Sequence, residues 1–234
     1  MEKQRFISVD LLRSIAIVLM VIYHFVFDLS FFYAFKIEVF TGGWRAVGRT
    51  AAILFLLLVG ISFVISNKER PPKKIWKRAL QRSCVIFGLG LLITLVTFLY
   101  DPNTYIRFGI LHLIGLSIIF LPLFRKFREL NLLLGSAVIA AGWQVSLLRA
   151  ETYLFLPLGI KYPNFASLDY FPLFPWFGVI LVGMGLGSLI FVRWNLKPMI
   201  KHPFWKILSI PGRYSLWIYM IHQPILFLLF NLSI

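Results

Sequence analysis

The sequence predicts an all-α protein: a polytopic transmembrane helix bundle of about seven spans, with the N-terminus inside and the C-terminus outside. Three observations carry that expectation. Of the 234 residues 59% are hydrophobic and only 14% are charged, whereas soluble domains carry about a quarter charged residues. Mean hydropathy is +0.84. Apolar runs close to the roughly 18–20 residues that cross a bilayer recur along the whole chain. This composition excludes a soluble globular fold.

The runs are taken in order. Residues 7–29 form the first; its apolar stretch is too long for a cleavable signal peptide, and no small-residue cleavage site follows. The second, 47–66, ends at the cations Lys68 and Arg70. The third, 83–100, follows a basic stretch that closes at Arg82. The fourth, 108–124, lies between Arg107 and Arg125, and the fifth, 131–148, between Arg128 and Arg149. The sixth, 172–192, ends at Arg193, and the seventh, 214–232, begins after Arg213. Glycine and proline inside several runs are compatible with lipid when neighbouring helices re-satisfy the backbone. Residues 149–171, aromatic and proline-containing, are the candidate for a folded extramembrane piece. With no repeat and no low-complexity tract, the chain reads as one domain, 1–234.

A formal net charge of +15 raises the question of a nucleic-acid partner. The distribution answers it. With the N-terminus inside, seventeen basic residues fall on inner segments, among them Lys3, Arg5, Lys197 and Lys201. Six fall outside: Lys36, Arg45, Arg49, Arg107, Arg149 and Lys161. That asymmetry is the positive-inside pattern, so the charge sets orientation and no nucleic-acid partner is expected. The run "KERPPKKIWKR" reads as a solvated inner loop, with anionic lipid or an anionic cofactor as the other readings. The single cysteine, Cys84, excludes an internal disulfide and a cysteine metal cluster, and is expected to serve packing.

The first run carries the chemistry. On a helix advancing about 100° per residue, Asp10, Arg13, His24 and Asp28 fall within about 60° of arc. Charged groups inside a span cost at least about 2.5–3.5 kcal/mol each and face a bundle interior or a watered cavity. One polar stripe therefore faces an internal pocket. Arg13 and His24 are about 16 Å apart along the axis, which gives an inner end with Asp10 and Arg13 and an outer end with His24 and Asp28. Four residues apart, His24 and Asp28 are expected to meet. A carboxylate beside an imidazole makes a general base for an alcohol or amine nucleophile. An ion pair that locks the helix in place is the plainer reading. His112, early in the fourth run, and His222, mid-way in the last and followed by Gln223 and Pro224, add two intramembrane histidines. Three histidines with an aspartate and an arginine favour a functional cavity. His202, in an inner loop, is expected to be solvated, and no metal is expected.

The opening "SVDLLRSIAIVLMVIYHFVFDL" resembles the first helix of the heparan-α-glucosaminide N-acetyltransferase catalytic-domain family of membrane proteins. "GRTAAILFLLLVGISF", "RFGILHLIGLS", "YFPLFPWFGVILVGMGLG" and "RYSLWIYMIHQPIL" resemble later blocks of its small prokaryotic members in the same order. The resemblance covers essentially the whole chain. It implies acetyl transfer across the membrane, from cytosolic acetyl-CoA as donor substrate to an amino-sugar or sugar-hydroxyl acceptor outside. His24, Asp28, His112 and His222 are then the catalytic candidates. Arg13, Asp10, Arg82 and Gln223 are the coenzyme-binding candidates, since arginine complements phosphate. His112, His222 or Gln223 would serve the oxyanion.

One departure matters. The eukaryotic glucosaminide enzyme has a histidine in the first outer loop, proposed as catalytic, where this chain has Thr41 in "FTGGWR", and an asparagine where this chain has His24. Heparan specificity and an acetyl-histidine route at that loop do not follow, and direct transfer with His24 as base is preferred. Two other classes use buried histidines. A proton-coupled small-molecule transporter needs such a stripe, but no transporter repeat is evident. A bis-histidine haem protein needs two facing histidines and would be coloured. Coenzyme binding separates the acetyltransferase from both. The bilayer, taken to be a prokaryotic plasma membrane, an acyl-CoA and a glycan are the expected partners. The glycine-rich "GMGLG" face permits a homodimer.

Overall fold

The computed structural model describes residues 6–32, 35–196 and 202–232. Lys3, Arg5, Lys197 and Lys201, counted above for orientation, lie outside the described residues. Every run read as apolar is helical: α1 (Ile7–Phe32), α2 (Gly42–Asn67), α3 (Pro72–Tyr100), α4 (Ile110–Phe124), α5 (Asn131–Leu147), α6 (Leu173–Gly187) and, after two short helices α7 (Pro203–Leu208) and α8 (Ile210–Arg213), α9 (Ser215–Leu232). Among the described residues five helical stretches are long and apolar enough to cross a membrane: Ile7–Phe31, Gly42–Asn67, Pro72–Tyr100, Ile110–Leu147 and Leu173–Arg193. The last joins α6 to a wider π turn, Ser188–Arg193. Ser215–Phe230 is apolar but shorter.

Two departures from the expected boundaries have physical causes. α3 begins eleven residues before the apolar run. Lysine and arginine are good helix formers, and Pro72 at the first helical position is preset for it, so the basic stretch is helical too. Ile110–Leu147 is not one straight helix. A 3₁₀ turn, Arg125–Leu130, interrupts it with Arg128 at φ 47°, ψ −120°. The buried Asn131 amide closes that turn by donating to the carbonyls of Phe124 (3.0 Å) and Arg128 (2.9 Å).

The chain divides into two compact units, Met1–Leu58 with Lys197–Ile234, and Val59–Leu196. In the first, α1 packs against α7, α8 and α9. Ile17, Met20 and Ala51 form a buried core, covered by Leu19, Val21, Phe55, Ile218 and Tyr219.

In the second unit, α3 pairs with α4 and α5 with α6. Small residues set the α5–α6 distance. A β-carbon on Gly178 would stand 2.6 Å from the Gly135 carbonyl oxygen, and one on Gly142 2.5 Å from Pro175. Without a hydrophobic driving force in lipid, such backbone approach is what holds helices together. The "GMGLG" face is used inside the chain: Gly185 lies against Leu132 of α5, and Gly187 against Ile61. The stretch 149–171 is ordered around a 3₁₀ turn, Tyr153–Leu158. It joins the α3–α4 loop through the bridge Phe108–Tyr170 and the bond from the Leu168 amide to the Thr104 carbonyl (2.8 Å).

Gly178→Ala is expected to force α5 and α6 apart, lowering stability in detergent by about 1–3 kcal/mol. Gly88→Ala, on α3 with nothing within 4 Å of the added carbon, should leave the melting temperature unchanged or slightly raised. Equal effects of the two in thermal unfolding would count against this account of the packing.

Candidate functional site

Six of the eight residues singled out in the sequence lie in the first unit, in two groups along α1. The outer group is built by α1 and α9. Asp28 is fully buried, and its Oδ1 accepts a 2.7 Å hydrogen bond from Gln223 Nε2. The rings of His24 and His222 meet edge to face, 4.8 Å between centroids at 75°. The expected His24–Asp28 contact is therefore corrected. His24 Nδ1 turns back to the Met20 carbonyl (2.9 Å), while α9 supplies Asp28 with an amide donor. Gln223, a coenzyme-binding candidate in the sequence, lies against Asp28 and follows His222 in the chain.

The backbone sets the tautomers. A carbonyl oxygen only accepts, so His24 Nδ1 donates to Met20, and His222 Nδ1 donates to Tyr219 (2.7 Å). In each neutral ring Nε2 is then the basic nitrogen. His222 Nε2, Asp28 Oδ2 and Gln223 Oε1 are all buried and, among the described residues, without a hydrogen-bond partner. Buried polar atoms are almost always paired, and an unpaired one costs about 1–3 kcal/mol. These three belong to neighbouring residues of α1 and α9 and mark the candidate site. Tyr23, edge-on to His24 at 5.6 Å, and Tyr219, 5.5 Å from His222, flank the rings. Thr41, in the loop before α2, donates to the Glu38 carboxylate (2.7 Å).

The inner group is built by α1 and α8. Asp10 is buried, with Arg13 Nη1 at 2.9 Å and Arg213 Nε at 4.0 Å. Ser14 Oγ donates to the Asp10 carbonyl (3.1 Å) and accepts from the Gly212 amide (2.8 Å). A β-carbon on Gly212 would lie 1.9 Å from the Asp10 carbonyl oxygen, so only glycine admits this approach. Among the described residues two guanidinium groups thus share one carboxylate. Arg213 was read in the sequence only as an inner cation; its place one residue after the invading glycine is the signal that could have found it.

The other two residues belong to the second unit. Arg82 is exposed on α3. His112 caps α4. Its Nδ1 accepts from the Gly109 amide (3.2 Å) and its Nε2 faces Thr94 Oγ1 (3.4 Å), whose own proton goes to the Ile106 carbonyl (2.6 Å). An amide only donates, so the Nε2 of His112 carries its proton and both ring nitrogens are in use. Cys84, expected to be packed, is exposed on α3. Among the described residues no cluster of three or more His, Cys, Asp or Glu could hold a metal ion.

The α4 N-terminus has a second clasp, outside the membrane-spanning segments. Asp169 Oδ2 accepts from the Ile110 amide (3.0 Å). Burial pushes its carboxyl up to about 6, against the opposing pull of that amide. A carboxyl raised on folding stabilises the fold in full below its unfolded value near 3.8, and that contribution is lost as pH rises through about 6. Wild type is therefore expected to lose of order 1 kcal/mol between pH 5 and 7 relative to Asp169→Asn, which keeps an acceptor and cannot ionise. Parallel melting curves for the two proteins over that range would refute the assignment.

Compared with known proteins, residues 5–224 match the family model described as heparan-alpha-glucosaminide N-acetyltransferase, catalytic. No curated protein and no solved structure matches the chain.

Proposed function

The chain belongs to the heparan-α-glucosaminide N-acetyltransferase catalytic family, and from that premise we propose that it moves an acetyl group from acetyl-CoA to an amino-sugar or sugar-hydroxyl acceptor, with His24 as general base. The observation that carries the reading is the cluster of unpaired buried acceptors beside His24. It supplies lone pairs where an acceptor amine or hydroxyl brings protons.

Each residue then has a task. A second N–H of the acceptor amine, or a neighbouring hydroxyl of the acceptor sugar, donates to Asp28 Oδ2 and Gln223 Oε1. His24 Nε2 takes the proton as the acceptor atom bonds to the thioester carbonyl carbon. The second amide proton of Gln223, beyond the one given to Asp28, is the donor for the developing oxyanion. Collapse breaks the carbon–sulfur bond, and the CoA thiolate recovers the proton from His24. The Nδ1 bond to Met20 keeps the reacting nitrogen in its basic form throughout. His222, its Nδ1 held by Tyr219, positions the His24 ring edge-on. The Arg13–Arg213 pair suits the phosphates of the coenzyme, with Asp10 holding both guanidinium groups in place. His112, whose nitrogens are both committed, holds α4 and takes no part in this chemistry. Arg82, exposed on α3, has the charge for a coenzyme phosphate. The orientation that follows from the charge asymmetry brings the donor from the inside and the acceptor from the outside.

Thermal unfolding of the detergent-purified protein with acetyl-CoA tests the donor. A saturable shift is expected, about 2.7 kcal/mol at 100 times Kd, weakened in Arg213→Ala. No shift in a well-folded wild type removes the donor assignment and favours a proton path through the same stripe. His24→Ala should keep the shift and lose transfer by a factor of about 10²–10⁴. Undiminished transfer in that variant would falsify its role as base.

A further inference from the structure

The basic stretch that opens α3 is absorbed neither by the fold nor by the proposed transfer. α3 has 29 residues, about 43 Å of helix at 1.5 Å per residue, whereas the hydrocarbon core of a bilayer is about 30 Å, or some 20 residues. Tyr100, 60% exposed and followed by Asp101, marks one end of the apolar run. Counting about 20 residues back from it reaches position 81. The turns from Pro72 to Leu80 therefore lie at the level of the lipid headgroups.

At that level the helix carries Lys73, Lys74 and Lys77, all exposed and without a hydrogen-bond or ion-pair partner among the described residues. Arg78 and Arg82 follow on the Lys74 stripe at spacings of four, so the three stand one above another on a single face. Like charges so arranged repel one another, and an anion relieves that repulsion. Trp76 (42% exposed) and Leu80 (51% exposed) stand among them. An exposed indole between lysines suits the boundary of a bilayer, where one side of the helix is apolar and the other wet. A water-soluble anion would have no use for those apolar groups.

We infer that the first three turns of α3 bind the headgroups of anionic phospholipids, with the lysines on the phosphates and Trp76 and Leu80 against the acyl-chain boundary. This inference is independent of the acetyl-transfer reading. Each cation near an anionic surface adds to the attraction. Removing three should cut lipid preference by at least tenfold.

Native mass spectrometry of the full chain, extracted from vesicles of equal parts phosphatidylglycerol and phosphatidylcholine, is the test. Wild type is expected to retain phosphatidylglycerol preferentially, and 0.5 M salt during extraction should reduce that preference. The triple variant Lys73→Gln, Lys74→Gln, Lys77→Gln should lose most of it, while Arg149→Gln with Lys161→Gln should not. Equal retention of both lipids by wild type, or an unchanged preference in the folded triple variant, overturns the inference. Displacement of phosphatidylglycerol by acetyl-CoA also overturns it, by assigning the lysines to a soluble phosphate. Should the triple variant not fold, the salt response of wild type still decides: an insensitive preference rules out the lysine–phosphate contact.

Discussion

The hydrogen bond from Gln223 to Asp28 is the contact on which the outer site of the first unit depends. A carboxylate in an apolar helix cannot remain without a donor, because the surrounding lipid and side chains offer none. Its donor has to come from another helix, and α9 provides it. Once that bond is made, α1 and α9 are held in one register. His24 and His222 then meet ring to ring, and the second oxygen of Asp28 and the oxygen of Gln223 are left without partners. The same bond that satisfies half of the carboxylate thereby leaves the other half available. Pro224 follows at once, so α9 has no amide there to bond the Met220 carbonyl one turn back, and the helix is loosened beside the site.

The inner end of α1 follows a different rule. There the partner of the helix is backbone. Gly212 approaches the Asp10 carbonyl so closely that no side chain fits, and Ser14 bridges the two helices by donating to one and accepting from the other. The approach is what brings Arg213 to Asp10. A short-range steric condition thus places a long-range charge, and two guanidinium groups share one carboxylate.

In the second unit His112 is consumed in joining helices. His112 is buried in apolar surroundings, which in the sequence is also the appearance of a reactive histidine. In the structure it accepts from Gly109, donates to Thr94 and packs against Gly90 and Phe87. The contrast with His222 is instructive. Both are buried histidines at the heart of a helix pair, but one has partners at both nitrogens and the other has a bare Nε2. Burial does not distinguish the two; the count of partners does.

Much of the fold was legible because lipid leaves few choices. A run of apolar residues without backbone partners has to be helical, and every such run in this chain is. The polar stripe on α1 was legible for the same reason, since the helical period fixes the direction of each side chain relative to its own axis. The start of α3 was not, because lysines and arginines are equally at home in a helix and in a loop. The partner of Asp28, the role of His112 and the arrival of Arg213 were hidden as well. Each depends on how far a second helix is slid and turned against the first, which is set by the contacts of many small and apolar side chains together. The sequence by itself determined that this chain is a set of membrane helices with one ionisable face. Only the tertiary structure decided which polar atoms on that face are satisfied and which are left open, because a hydrogen bond needs two groups within about 3 Å and only packing supplies the second.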